Sequence, residues 1–195
     1  DGDFLGSRRL TDREIATIEQ WVSAGAPGSS GDRDANPPRS AGEAVQADAP
    51  DLEIRLPPYT LAADGPDVFR NFVVRVPGNS NHWVRGMQFR PGNRAVHHAN
   101  IRVDATPASR ALDEADPAPG YEGIIARSAD FPDGQFLGWT PGQLRPALSD
   151  ASAWRLRGGT DLVVQLHLRP SGAPEQIAPT IGFYFGDRAP ARTPG

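Results

Sequence analysis

Short apolar runs separated by turn signals dominate the sequence from residue 51 onward. In the first run Leu52, Ile54 and Leu56 alternate with polar residues. The next two runs, the apolar and β-branched 68–76 and then 82–90, each end at a Pro-Gly-Asn triplet. Further runs of this kind are 94–103, 122–127, 135–139, 152–157, 160–168 and 179–185. Eight or more short strands predict an all-β fold, an antiparallel β-sandwich that is jelly-roll-like. Gly158-Gly159 predicts a hairpin turn within it.

One α-helix is predicted ahead of the strands, within an N-terminal segment that spans residues 1–25. Thr11 and Glu14 fit a capping box, and Gly25 followed by Pro27 fits a helix end. A single amphipathic helix cannot bury its own apolar stripe, so this stripe is predicted to dock on the main domain, on a missing domain or on a protein partner. Its residues are Ile15, Ile18, Trp21 and Val22.

The remaining boundaries follow from composition. Residues 26–50 are rich in Gly, Pro, Ser, Ala and Asp without periodicity, which predicts an extended or disordered linker. We therefore expect a β-sandwich domain at 51–188 and a tail at 189–195. A helical turn is expected near 109–114, inside the loop 104–120.

Composition excludes several classes of function. The net charge of −4 gives no indication of nucleic-acid binding, and no apolar run is long enough for a transmembrane segment. The absence of cysteine rules out disulfides, thiolate metal sites and a Cys-x-x-Cys-His haem attachment, so no haem is expected in this chain. Because the sequence opens on Asp1, we expect a processed form or a piece of a longer protein.

Two of the four histidines, His97 and His98, are adjacent within the strand-like run 94–103. Imidazole is the commonest metal ligand, and three imidazoles from two strands can bind copper or zinc. Neighbouring side chains of a regular strand point to opposite faces, so both rings can bind one ion only if the strand bulges, twists or ends there. The alternative is that one ring packs in the core while the other lies on the surface.

His167 lies on the less apolar face of the run 161–168 and is the third candidate ligand. The alternative for a single histidine of this kind is a local hydrogen bond that satisfies the ring. Metal-binding imidazoles usually donate from their second nitrogen, and Asn100, Gln165 or a backbone carbonyl are the candidate partners for that hydrogen bond. His82 reads as a surface residue at a strand end.

Several short motifs occur in series along the sandwich region. They are Trp83-Val84-Arg85, Arg90-Pro91-Gly92-Asn93, Val96-His97-His98-Ala99, Gly138-Trp139-Thr140-Pro141-Gly142 and the run from Asp161 to His167. Over roughly residues 50–188 this series resembles the first copper domain of the ascorbate-dependent type II copper monooxygenases, the peptidylglycine α-hydroxylating monooxygenase-like family. The resemblance implies a periplasmic or extracellular bacterial protein in which His97, His98 and His167 hold one copper ion.

The same resemblance limits the activity that we expect. Family members hydroxylate their substrates at a second copper in a second domain, bound by a His-x-His pair and a methionine, and this sequence has no His-x-His. The chain resembles the electron-delivery half and is not expected to be a complete enzyme by itself.

Two further functions stay open. The segment from Leu10 to Pro27 resembles the last helix of a bacterial c-type cytochrome domain. The chain could therefore be a structural, extrinsic subunit of a periplasmic membrane complex for electron transfer or photosynthesis, with the fold kept and catalysis lost. Sugar binding through exposed Trp83, Trp139 or Trp154 is the third possibility, although core packing explains these residues equally well.

Overall fold

The structure, a computed structural model, describes residues 9–28, 49–143, 148 and 150–190. The chain divides into two compact units, residues 1–47 and residues 48–195. Strands account for 40% and helical residues for 17% of the residues that the structure describes, which confirms the all-β prediction with one N-terminal helix. Among the described helices, none has the length and apolar character needed to cross a membrane.

The described part of the first unit is helix α1 (Asp12–Ser23), and its start has the predicted capping box. The Thr11 hydroxyl accepts a hydrogen bond from the Glu14 backbone N–H at 3.3 Å, and the Glu14 carboxylate accepts one from the Thr11 N–H at 2.7 Å. No residue of α1 is buried, and the exposed apolar side chains include all four candidate partner-binding residues. Most of the predicted linker, residues 29–48, and the tail from 191 lie outside the described residues.

The second unit contains a β-sandwich with antiparallel strand pairings throughout its described part. Its strands are β1 (Leu52–Arg55), β2 (Tyr59–Leu61), β3 (Val68–Arg75), β4 (Asn81–Arg90), β5 (Val96–Asp104), β6 (Tyr121–Glu122), β7 (Ala129–Asp130), β8 (Leu137–Trp139), β9 (Trp154–Arg157), β10 (Asp161–Leu168), β11 (Glu175–Ile177) and β12 (Thr180–Gly186). Helix α2 (Ala108–Ala115) follows β5, where a helical turn was predicted.

Two large sheets enclose one apolar core. The smaller has the strand order β1-β12-β4-β9, and the larger has the order β6-β3-β10-β5-β7 with β8 also paired to β5. The strands β2 and β11 form a separate pair, which the sequence patterns did not predict. Both large sheets contribute to the core, for example through Phe183 of β12 and Phe72 of β3. Alternate residues of β10 are fully buried in this core: Leu162, Val164, Leu166 and Leu168.

The structure contradicts two expectations from the sequence and decides between two alternatives for a third. The predicted strand 122–127 is wrong beyond Glu122, because only Tyr121 and Glu122 pair with β3 before the chain becomes a loop. The turn at Gly158-Gly159 is not a hairpin, since it joins β9 in one sheet to β10 in the other. Trp154 is buried and Trp139 packs against Phe89 at a centroid distance of 5.3 Å, so both serve the core.

A buried carboxylate fixes α2 on the outer face of the larger sheet. Asp104, at the end of β5, is fully buried and accepts hydrogen bonds from the hydroxyl groups of Thr106, Ser109 and Ser128 at 2.6–2.7 Å. It also accepts the Ser109 backbone N–H in the first turn of α2, which has no side-chain cap of its own. Burial alone would raise the pKa of Asp104, but the hydrogen bonds from Ser109, Ser128 and Thr106 outweigh it and hold the pKa well below its usual range.

We predict that Asp104→Asn destabilises the sandwich by about 2–4 kcal/mol at pH 7, because an amide leaves donors of this pocket unpaired. The lowered pKa means that the carboxylate stabilises the fold above the unfolded-state pKa of about 3.9 and that this contribution is lost as the pH falls below it. Urea denaturation at pH 7 and at a pH below this pKa measures the free energy of unfolding of each variant. The exposed Asp130, paired with Val103 on the adjacent strand, supplies the control Asp130→Asn, and equal effects of the two substitutions would contradict this role.

Candidate metal centre

The pairing of β3, β10 and β5 places an aromatic ring from each strand side by side on the outer face of the larger sheet. His167 of β10 lies opposite His98 of β5 on one side and opposite Phe69 of β3 on the other. Residues that are directly opposite in antiparallel strands share a face of the sheet. The core residue Leu166 points to the other face, so the row Phe69–His167–His98 points away from the core.

A β-bulge brings His97 to the same face. Val96 is paired with Leu168 and His98 with His167, so His97 is an extra residue that has no partner on β10. Val96 and Ala99 are both buried, at 2% and 1% exposure, and the two histidines between them both point outward. Neighbouring side chains of a regular strand point to opposite faces, but the bulge allows both of these rings to point to the same face.

The three rings converge through their Nδ1 atoms. The Nδ1 of His98 lies 3.4 Å from that of His97 and 3.3 Å from that of His167. The ring centroids of His97 and His167 are 4.9 Å apart, and the candidate ligand atoms of all three residues lie within 4.8 Å of one another. In the part of the chain that the structure describes, this is the one such group of histidine and acidic residues.

The spacing of these nitrogens fits a shared metal ion. Two imidazole nitrogens bound to one tetrahedral ion at about 2.0–2.1 Å are separated by about 3.3–3.4 Å, as the two measured contacts are. A neutral imidazole has one nitrogen with a lone pair, and three such lone pairs directed at one point form a donor set suited to copper or zinc. The group can thus hold a metal ion. The donor set alone does not identify which metal it is.

The environment of the central ring favours its neutral form. Burial lowers the pKa of His98, and the neighbouring rings of His167 and His97 lower it further because a second positive charge there would be repelled. A neutral imidazole is the form that binds a metal ion, so protons compete less strongly for this nitrogen than in an exposed histidine.

His167 is held from two further directions. Its Nε2 lies 2.6 Å from Oδ2 of Asp67, and the Phe69 ring stacks on it at a centroid distance of 4.3 Å and an interplanar angle of 9°. Sequence reasoning missed Asp67, which lies in the turn before β3 and 100 positions from His167. Strand register brings them together, and no local pattern in the sequence indicates that pairing.

The two candidate hydrogen-bond partners lie in the next row of the same face. Asn100 is opposite Gln165, and the Gln165 amide donates at 3.1 Å to the Asn71 side chain and to the Gly123 carbonyl oxygen. Within the described residues, Asp67 is the group outside the cluster that accepts a hydrogen bond from a ring nitrogen of the cluster. His82 lies on β4 of the other sheet and stacks on Phe185, so it does not belong to the cluster.

A scan of the sequence against protein-family models found no matching family. A search among curated proteins also found no similar sequence.

We predict that deleting His97 preserves the fold, because β5 then regains regular alternation with Val96 and Ala99 still inward. The free energy of unfolding should change by less than about 1 kcal/mol, while the ligand set falls from three imidazoles to two. Urea denaturation and metal content measure the two effects. The matched variant His97→Ala loses the same ligand and keeps the bulge, and unfolding of the deletion variant alone would show that the core requires the bulge.

Proposed function

We propose that the second unit is an extracytoplasmic domain that holds one copper ion between His97, His98 and His167 and accepts or delivers single electrons. The observation that carries this proposal is the convergence of three imidazole Nδ1 atoms at contacts of 3.3 and 3.4 Å. The resemblance of the sequence to the first copper domain of the type II copper monooxygenases supports the same conclusion. Its periplasmic or extracellular location belongs to the proposal on that ground.

Copper is favoured over zinc by affinity and by the donor set. Sites made of nitrogen ligands generally bind Cu²⁺ more tightly than Zn²⁺, and neutral imidazoles suit both oxidation states of copper. Bound copper would supply one-electron chemistry at this position. The residues hold the donor nitrogens together, favour the neutral form of the central ring by lowering its pKa, and leave the ring of His97 exposed at the surface.

Exposure of His97 supports a role in electron exchange. The rings of His98 and His167 are partly covered, whereas His97 presents its side chain to solvent on the outer face of the sheet. A protein that docks there can approach a ligand of the ion without any opening of the core. The row also contains Phe69, which is 41% exposed beside His167 and extends the accessible surface with an aromatic ring.

Hydroxylation by this chain alone is not part of the proposal. The sequence contains four histidines and one methionine, and the cluster uses three of the histidines. His82 alone does not make a second histidine centre, so a complete monooxygenase reaction would require ligands from another domain or protein.

The first test is the metal content of the chain after loading with copper, beside the variants His98→Ala and His82→Ala. We expect one copper ion per chain with an electron paramagnetic resonance signal of nitrogen ligands, and an affinity lower by more than about tenfold in His98→Ala. His82→Ala removes a histidine outside the cluster and should bind copper as the unaltered chain does. Absence of bound copper, or equal losses in the two variants, would refute the three-histidine site.

Selective retention of zinc would preserve the site and refute the electron-transfer role, because zinc has no redox chemistry in proteins. For this comparison the chain is dialysed against equal concentrations of the two ions, and the bound metal is identified by mass spectrometry.

The second candidate function is that of a structural, extrinsic subunit of a larger membrane-associated assembly. A specific observation favours it, namely the exposed apolar stripe of α1, where Ile15, Ile18, Trp21 and Val22 are 42–58% exposed. Side chains of this size in one stripe are usually covered by a partner. This candidate is compatible with a metal site and requires none.

We predict that the chain isolated from its own cells migrates as part of a complex larger than its 20.9 kDa mass. Ile18→Glu should release it, because a carboxylate in the stripe cannot be buried against an apolar partner. Gln20→Glu adds the same charge to α1 outside this set of apolar residues and is the control. Migration of the unaltered chain as a monomer would refute the structural role, as measured by native gel electrophoresis and size-exclusion chromatography.

A further inference from the structure

We infer that Asp67 is a positioning residue that fixes the tautomer and orientation of His167, so that the lone pair of Nδ1 points into the histidine cluster. This inference rests on the proposed metal site and adds to it a residue that no motif of the sequence indicates. Asp67 acts through His167 and is not itself a member of the three-histidine group.

The contact between the two residues determines where the ring proton lies. Oδ2 of Asp67 is 2.6 Å from Nε2 of His167, and an ionised carboxylate can only accept a hydrogen bond. Nε2 therefore carries the proton in the neutral ring. The other nitrogen, Nδ1, is then the acceptor, and it is the atom that lies 3.3 Å from Nδ1 of His98.

Without Asp67 the cluster has an internal alternative. A neutral His167 with its proton on Nδ1 could donate that proton to the lone pair of His98 across the same 3.3 Å contact. In that arrangement one proton lies between Nδ1 of His167 and Nδ1 of His98, so neither nitrogen offers a free lone pair. A metal ion must displace this proton before it binds. The carboxylate removes His167 as the donor of this hydrogen bond by holding its proton on the opposite side of the ring.

The surroundings of Asp67 direct it towards the ring. Its second oxygen lies 3.8 Å from Nε of Arg169, which is an ion pair too long for a hydrogen bond. The side chain of Asp67 is 45% exposed, so its substitution leaves no cavity in the core. Phe69 restricts the tilt of His167 by stacking, and Asp67 restrains the ring within its own plane.

The experiment compares Asp67→Ala and Asp67→Asn with Asp64→Ala, an exposed aspartate of the same turn. Copper(II) affinity is measured by competition with a chelator, and thermal unfolding of each metal-free chain is recorded. We expect Asp67→Ala to bind copper about 10–100-fold more weakly at an unchanged unfolding temperature. Asp67→Asn keeps an acceptor and should bind with intermediate affinity, while Asp64→Ala should behave as the unaltered chain.

A second readout requires no metal. Two-bond proton–nitrogen NMR of the ¹⁵N-labelled metal-free chain identifies the protonated nitrogen of His167, assigned with a His167→Gln variant. We expect an Nε2–H resonance shifted downfield by its carboxylate partner, and loss of that shift in Asp67→Ala but not in Asp64→Ala. A merely structural role of Asp67 would not produce this pattern.

The outcomes separate the two proposals. If the unaltered chain binds no copper, the proposed function fails, and the NMR tautomer alone decides the role of Asp67. If the unaltered chain binds copper and Asp67→Ala binds it equally well, the inference about Asp67 fails while the metal site stands. A proton on Nδ1 of His167 in the unaltered metal-free chain also overturns the inference.

Discussion

The position of β10 between β3 and β5 is the constraint on which the larger sheet depends. Eight consecutive residues of β10 are paired on both sides, and this double register fixes which residues of three distant segments lie in one row. A slip of one residue would exchange the core face and the outer face of the strand. Four fully buried aliphatic side chains, each contributing about 1.5–3 kcal/mol, make such a slip unfavourable. The geometry of the histidine row is therefore set mainly by the core behind it.

The outer face of this sheet is polar in two different ways. At the end of β10 near Asp161, buried carboxylates are satisfied by hydroxyl groups and by the guanidinium groups of Arg75 and Arg110. At the other end, three imidazoles have one another as neighbours on their Nδ1 side, at 3.3 and 3.4 Å, and neither a hydroxyl nor a guanidinium group takes part in these contacts. This contrast distinguishes the structural polar cluster from the candidate metal centre.

Much of the fold follows from local sequence patterns, whereas the site depends on pairings that such patterns do not contain. The capping box at Thr11 and the alternation in β10 act over a few residues, so the helix and the central strand were predictable. The very short strands β2 and β11 lack a pattern of their own and form because they pair with each other. The sequence predicted the three ligands His97, His98 and His167 because imidazole is a common metal ligand. Whether their rings converge is decided by the strand register and by one bulge. Asp67 has no signal at all in the sequence, since its partner is 100 positions away.

The alternation along β10 also has an evolutionary consequence. Leu162, Val164, Leu166 and Leu168 are constrained by packing, while Gln165 and His167 on the opposite face contribute little to the core. From Val164 to Leu168, selection can therefore act on alternate codons for different reasons. The histidines can therefore be lost by drift while the sandwich is retained, and they can arise again on an existing scaffold. Related chains would then keep the leucine spacing long after their histidines had diverged.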